Sequence, residues 1–195
     1  QFDNFAVAFT SIGIVSTMLI LLISKDYFEH ISSNVAEYYA IILFALIGIL
    51  VMVSFNNLSM LFIGIEIMSV SLYILAGIRK NDFKSNEAAL KYFLTGAFST
   101  GFLLMGIAFL YGSTASFDLG AIKEYVISNP AQISPLFYTG LILMIIGLSF
   151  KVGAAPFHFW TPDVYEGSPT IITAFMSTVV NTAGFAAFLR LFMVC

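Results

Sequence analysis

Six apolar runs constrain this chain more than any other feature: residues 5–24, 39–55, 58–77, 88–111, 136–160 and 170–195. A helix that crosses the hydrocarbon core of a bilayer needs about 20 mostly apolar residues at about 1.5 Å each. Each run meets or nearly meets that length. Lipid is the solvent such segments fit, since only 10% of the 195 residues are charged, against about a quarter in soluble domains. The runs are continuous rather than alternating, which fits helices and not barrel strands. The expected fold class is all-α: a polytopic transmembrane helix bundle of about six helices.

The connections carry the charge. Asn56-Asn57 reads as a tight polar turn between antiparallel helices, while KDYFEHISSNVAE, RKNDFKSNEA and DLGAIKEYVISNPAQISP read as longer loops. Asn129-Pro130 and Ser134-Pro135 mark the last as a loop before a new helix start. Arg79, Lys80, Lys84 and Lys91 cluster at one connection, which the positive-inside rule puts in the cytoplasm. Alternation adds Lys25 and the turn at 161–169 to that side and leaves Lys123 and Arg190 outside, a bias of five to two. The expected location is an integral, multi-pass position in a membrane.

Several functions are disfavoured. A net charge of -3 without a basic patch argues against nucleic acid. The lone Cys195 rules out a disulfide within the chain and a cysteine-clustered metal site, and His30 and His158 have no ligand-spaced neighbours. No nucleotide-binding or haem-attachment motif is visible, so neither cofactor nor metal is expected in this chain. The sequence starts at Gln1, ends inside an apolar run and has no signal-peptide pattern, as expected of a fragment or a processed chain.

Two ionisable residues sit well inside predicted spans: Glu66 in LSMLFIGIEIMSVSLYIL and Lys151 in the fifth run. A charge at the centre of a membrane helix costs about 2.5–3.5 kcal/mol on insertion scales, so such residues pair or line a wet cavity. Pairing of Glu66 with Lys151 is the simplest expectation. Two readings of such a pair stand side by side: a proton relay, or a structural salt bridge holding two helices in register.

A break follows the lysine. Pro156 cannot donate to the carbonyl of Val152, and Gly153 loosens the same turn. Irregular backbone at membrane depth is tolerated only where protein buries it or water fills a cavity. Broken helices of this kind form ion sites in transporters, and a plain proline kink is the alternative. Pro162 likewise frees the carbonyl of His158, which is either a proton relay near neutral pH or an interfacial side chain beside Trp160.

Thr170, Thr173, Ser177, Asn181 and Gly184 recur at helical spacing and mark one face of the sixth run. That face is either wet or tightly packed through small residues. Lys91, Thr95 and Ser99 form a shorter stripe. Lys91 is spaced to pair with Glu87 and reads as a surface anchor or as the mouth of an inlet.

KVGAAPFHFWTPDVYEGSPT closely resembles the antiporter-like subunits of proton-pumping NADH:quinone oxidoreductase, respiratory complex I. The form PFHFWTPDVYEGSP is similar to the N-type, the counterpart of mitochondrial subunit 2; L-, M- and Mrp-type relatives read more like PLHxWLPDA. LFIGIEIMSVSLYIL and EAALKYFLTGAFSTGFLLMGIAFLYG also resemble the family, so the likeness covers essentially the whole chain. The resemblance implies two inverted five-helix repeats, each with a half-channel and a broken helix. This chain would hold one preceding helix and loop, 1–38, and the first repeat, 39–195.

By motif, Glu66 matches the family's intramembrane glutamate and Lys151 the lysine at the break, with Gly153 and Pro156 forming that break. Asn181 stands where relatives usually have a lysine that passes the proton onward. An amide does not titrate, although it can hydrogen-bond a water, and Ser177 is a candidate to bridge the gap. The implied function is proton translocation through a half-channel, coupled to quinone reduction elsewhere. The implied partners are other membrane subunits, the lipid bilayer and protons, and the chain would be part of an enzyme without a redox centre of its own. NADH, FMN, iron–sulfur clusters and quinone would belong to other subunits only. An Mrp-type sodium/proton antiporter subunit and a structural scaffold are the alternatives.

Overall fold

The computed structural model describes residues 3–29, 35–129 and 133–193; His30, Pro130 and Cys195 lie outside them. Among the described residues the chain forms eight helices: α1 Asn4–Glu29, α2 Val35–Val53, α3 Leu58–Ala76, α4 Phe83–Thr114, α5 Leu119–Ser128, α6 Pro135–Lys151, α7 Thr161–Gly167 and α8 Thr170–Phe192. Five of these, α1 to α4 and α8, are long and apolar enough to cross a membrane. The all-α bundle expected from the apolar runs is the fold observed.

The helices begin where short polar side chains cap them. Asn57, Asp82, Asp118 and Ser134 each accept a backbone N–H at the start of α3, α4, α5 and α6. The Asn56-Asn57 turn also pairs with the segment before α5: Leu58 N–H donates to Phe117 O at 2.9 Å, and Leu119 N–H to Asn56 O at 3.0 Å. The connection after α4 is therefore not a plain loop, because Asp118 starts a ten-residue helix that buries Leu119 and Ile122.

Glycine sets the tightest helix crossings. A Cβ built on Gly64 would lie 2.7 Å from the Met52 backbone nitrogen, and one on Gly48 would lie 2.5 Å from that of Met68. Gly106 and Gly140 bring α4 and α6 together in the same way. In lipid there is little hydrophobic drive between helices, so close backbone packing of this kind does the work. α3 is buried along Leu58, Leu61, Ile65, Leu72 and Leu75 and lies between α2 and α4. Large apolar residues such as Leu22 and Phe98 stay exposed, which suits a surface in contact with lipid.

The two ends of the bundle differ. At one end, Tyr27 on α1 accepts from the Arg79 guanidinium and from the Thr170 N–H. Lys84 and Lys91 on α4 bond Glu166 and Asp163 on α7 at that same end. At the other end lie Asp3, Asn56, Lys123 and Arg190. The alternation read from the sequence is thus observed. Arg190, at this end as expected, is buried in α8, donating to Phe55 O at 3.1 Å and to Asp3 Oδ1 at 2.6 Å, against the rings of Phe5 and Phe55. The Ala6 N–H, aided by Arg190 and opposed by burial, holds the Asp3 carboxyl below its ordinary range.

Gly64→Ala forces a methyl against the backbone of α2. It is expected to cost about 1–3 kcal/mol, the range for overpacking, read as a lower unfolding temperature in detergent. Gly101→Ala, where a Cβ meets nothing within 4 Å, is expected to stabilise by about 0.5–1 kcal/mol through helix propensity.

Candidate functional site

The site is built on the end of α6. This helix has 17 residues, about 26 Å at about 1.5 Å each, short of the ~30 Å hydrocarbon core. It stops at Lys151, and its last carbonyls need partners away from water. Gly153 supplies them by adopting φ +64, a left-handed conformation open to glycine at little cost. Its N–H then reaches Phe150 O at 3.2 Å, and the Ala154 N–H reaches Ser149 O at 2.9 Å. That pair of bonds is the Schellman closure of a helix C-terminus. The Trp160 indole donates a further bond to Phe150 O at 3.1 Å.

The break is therefore a glycine stop and not a proline kink. Pro156, cis to Ala155, comes three residues after Gly153. The expected fifth span of 136–160 is corrected on this ground: helix ends at Lys151, turns follow, and α7 begins at Thr161. The His158 carbonyl, expected to be freed by Pro162, accepts the Thr161 N–H at 3.0 Å. Pro162 simply starts α7.

Lys151 is buried, 7% exposed. Its ammonium donates to Ser69 Oγ at 3.0 Å and to Tyr73 OH at 3.4 Å, and lies 5.9 Å from the centre of the Tyr73 ring. Ser69 in turn donates to Ile65 O at 2.6 Å. Glu66, Ser69 and Tyr73 are spaced three and four apart and share one face of α3. Glu66 accepts from Thr100 Oγ1 on α4 at 2.9 Å. The same hydroxyl lies 3.0 Å from Gly96 O, and with one proton it serves one acceptor at a time.

The expected Glu66–Lys151 salt bridge is not formed. No ion pair within 4.0 Å among the described residues joins the two. Lys151 instead bonds the hydroxyls one and two turns beyond the glutamate on the same face of α3.

The transmembrane family described as NADH:quinone oxidoreductase/Mrp antiporter matches residues 55–195. The chain belongs to this family. NADH-quinone oxidoreductase subunit N of Cytophaga hutchinsonii is 50% identical over 95% of this chain and 40% of its own length. The protein of the same name from Trichlorobacter lovleyi is 48% identical over 98% of this chain and 39% of its own. A chain of respiratory complex I from Thermus thermophilus superposes with TM-score 0.80 at 37% identity, covering 97% of this chain and 42% of that one. A chain of the membrane-bound sulfane sulfur reductase, an archaeal respiratory membrane complex, gives TM-score 0.86 at 28% identity, covering 97% and 38%. The chain thus spans about 40% of the length of the curated relatives it matches.

The other expected site residues of this antiporter-family chain fall in different places. Lys91 bonds Glu87 at 2.8 Å and Asp163 at 2.5 Å on an exposed face. His158 is exposed in the segment after the break, away from the Lys151 contacts. A π turn at Met176–Val180 interrupts α8, so the expected polar stripe is not one straight face. Ser177 points outward and bonds only its own helix, at Ala174 O. Thr173 donates to Tyr165 O at 3.1 Å, and the Asn181 side chain lies near the Tyr165 hydroxyl. Gly184 lies against Val152, the residue after the lysine. Ser69, Tyr73 and Thr100 are site residues that the charge-based reading does not find; the helical spacing from Glu66 marks the first two.

Gly153→Ala places a Cβ in the left-handed conformation, at about 1–2 kcal/mol. The expected result is faster amide hydrogen exchange at residues 152–154, measured in the solubilised protein, while exchange in α2 is unchanged.

Proposed function

We propose that this chain is part of the N-type membrane subunit of a bacterial NADH:quinone oxidoreductase, and that it moves protons by way of Lys151 and Glu66. The observation that carries this reading is the buried Lys151 ammonium, held by Ser69 and Tyr73 on the face of α3 that also bears Glu66. Residues 39–195 would form the first antiporter-like repeat, after the helix of 1–38. Quinone reduction elsewhere in the complex would change the charge that Glu66 feels.

The roles follow from the contacts. Lys151 is the group that takes and releases the proton. Glu66 sets the field around it, without forming a direct bond. Two unit charges about 8 Å apart interact by about 2 kcal/mol at an effective dielectric of 20. That exceeds the 1.36 kcal/mol of one pKa unit, so a change in Glu66 biases the occupancy of Lys151. Ser69 holds the ammonium and stands between the two charged residues along α3. Thr100 holds Glu66 and can turn to Gly96 O when the carboxylate is protonated or moves. Asn181 cannot carry a proton as an ammonium does, so onward transfer would run through hydroxyls or water beside Tyr165.

The family also contains Mrp antiporters. The relatives named subunit N and the PFHFWTPDVYEGSP segment favour the respiratory assignment, and sodium-dependent transport would reverse that preference. Lys151→Met in the complete complex, in inverted membrane vesicles, is expected to lower the rate of NADH-driven proton translocation by roughly tenfold, about 1.4 kcal/mol on the limiting step. Glu66→Gln is expected to lower it in the same direction. Full pumping by an assembled Lys151→Met complex would reduce these charges to a scaffold role.

A further inference from the structure

A polar cavity of about 90 Å³ opens between α4 and α7, lined by Lys84, Glu87, Lys91, Asp163 and Glu166. Two buried rings occupy the next positions inward on the same two segments. Tyr92 follows Lys91 on α4, and Trp160 precedes α7 three residues before Asp163. Their rings stack with centroids 4.7 Å apart and planes 11° from parallel. Tyr73 completes the wall: its ring meets Tyr92 edge-on at 4.9 Å, and its hydroxyl touches the Lys151 ammonium. The contacts thus run from charged cavity to ring pair to Tyr73 to Lys151, with both stacked residues only 4% exposed.

We propose that the Tyr92–Trp160 stack is the gate between this charged cavity and Lys151, and that the Lys91–Asp163 ion pair is its latch. The latch and the gate join the same two pieces of chain. Lys91 and Tyr92 are neighbours on α4, so a parting of Lys91 from Asp163 lets α7 carry Trp160 off Tyr92. The latch is built to open. Its side chains are about half exposed, at 43% and 54%, and exposed pairs are weak and screened by salt. Trp160 also caps Phe150 O at the end of α6. Gate opening therefore loosens the helix end that positions the ammonium, and access and release occur together. The proposal rests on the proton-carrying role of Lys151 and adds to it the side and the door through which that residue exchanges.

The test reads access directly, in the complete complex in sealed membranes. Lys151→Cys is made in an otherwise cysteine-free subunit, and a small cationic methanethiosulfonate reagent is added from the side that bears Lys91. Labelling is expected to be slow with the gate intact. Asp163→Asn is expected to raise the rate severalfold and Trp160→Leu by roughly tenfold, the scale on which loss of one aromatic pair shifts a population. Tyr92→Phe keeps the ring and is expected to leave the rate unchanged. Assembly is checked by NADH oxidation, and if Trp160→Leu fails to assemble, Asp163→Asn decides alone. An unchanged rate in Asp163→Asn, or equal acceleration from the opposite side, overturns the gate. Neither result bears on whether Lys151 pumps, which the Lys151→Met translocation assay reads separately.

Discussion

A helix that ends inside a membrane must satisfy its own last carbonyls, because hydrocarbon offers no hydrogen bonds. The site depends on how the chain meets that demand after Lys151. Gly153 turns left-handed, two backbone N–H groups fold back onto Ser149 and Phe150, and the Trp160 indole adds a third donor. With the carbonyls bonded, the helix stops short of the bilayer thickness, and its terminal lysine is left pointing into protein. The C-terminal end of a helix dipole also favours a cation. The position of the ammonium is thus prepared by backbone chemistry before any acidic partner is considered.

That preparation explains why Lys151 and Glu66 are neighbours without being a bonded pair. A buried ion pair recovers its desolvation cost only with excellent geometry and further hydrogen bonds. Here each charge has neutral hydroxyl partners, Ser69 and Tyr73 for the ammonium and Thr100 for the carboxylate. A locked salt bridge would hold the proton on Lys151. Hydroxyl partners hold the two groups separately, in place of the tight bridge expected from the sequence. The glycines at the helix crossings serve the same end, since Gly96 admits the Tyr73 ring against α4.

The spans were legible because lipid imposes one crude rule, a long apolar run, and α1 to α4 and α8 obey it. Glu66 and Lys151 were legible because a charge inside such a run stands out. The end of α6 is hidden in the sequence because Phe157, Phe159 and Trp160 prolong the apolar run past the real stop, and proline is a louder signal than a glycine in the left-handed region. α5 is not marked by that rule because its ten residues sit in a polar connection, too short and too charged to obey it. Ser69, Tyr73 and Thr100 were missed for a different reason. Hydroxyls in membrane helices commonly bond their own backbone, as Thr17 does to Gly13 O and Ser71 to Ile67 O. A hydroxyl in the sequence therefore gives no sign of whether it also serves a neighbour.

The π turn in α8 resolves what periodicity alone could not. Thr173 and Asn181 are eight residues apart, which in a regular helix at about 100° per residue separates them by about 80° around the axis. A π turn takes one extra residue into a single loop and so removes about 100° of that rotation. The two side chains are brought back to within about 20° of each other and both face Tyr165 on α7, whose carbonyl accepts from Thr173. Ser177, inside the wide turn, is thrown outward instead. The interruption in α8 thus fastens it to the segment that carries Trp160 and Asp163. Asn181, expected from the resemblance to stand at the family's lysine position, lies beside that same tyrosine of α7.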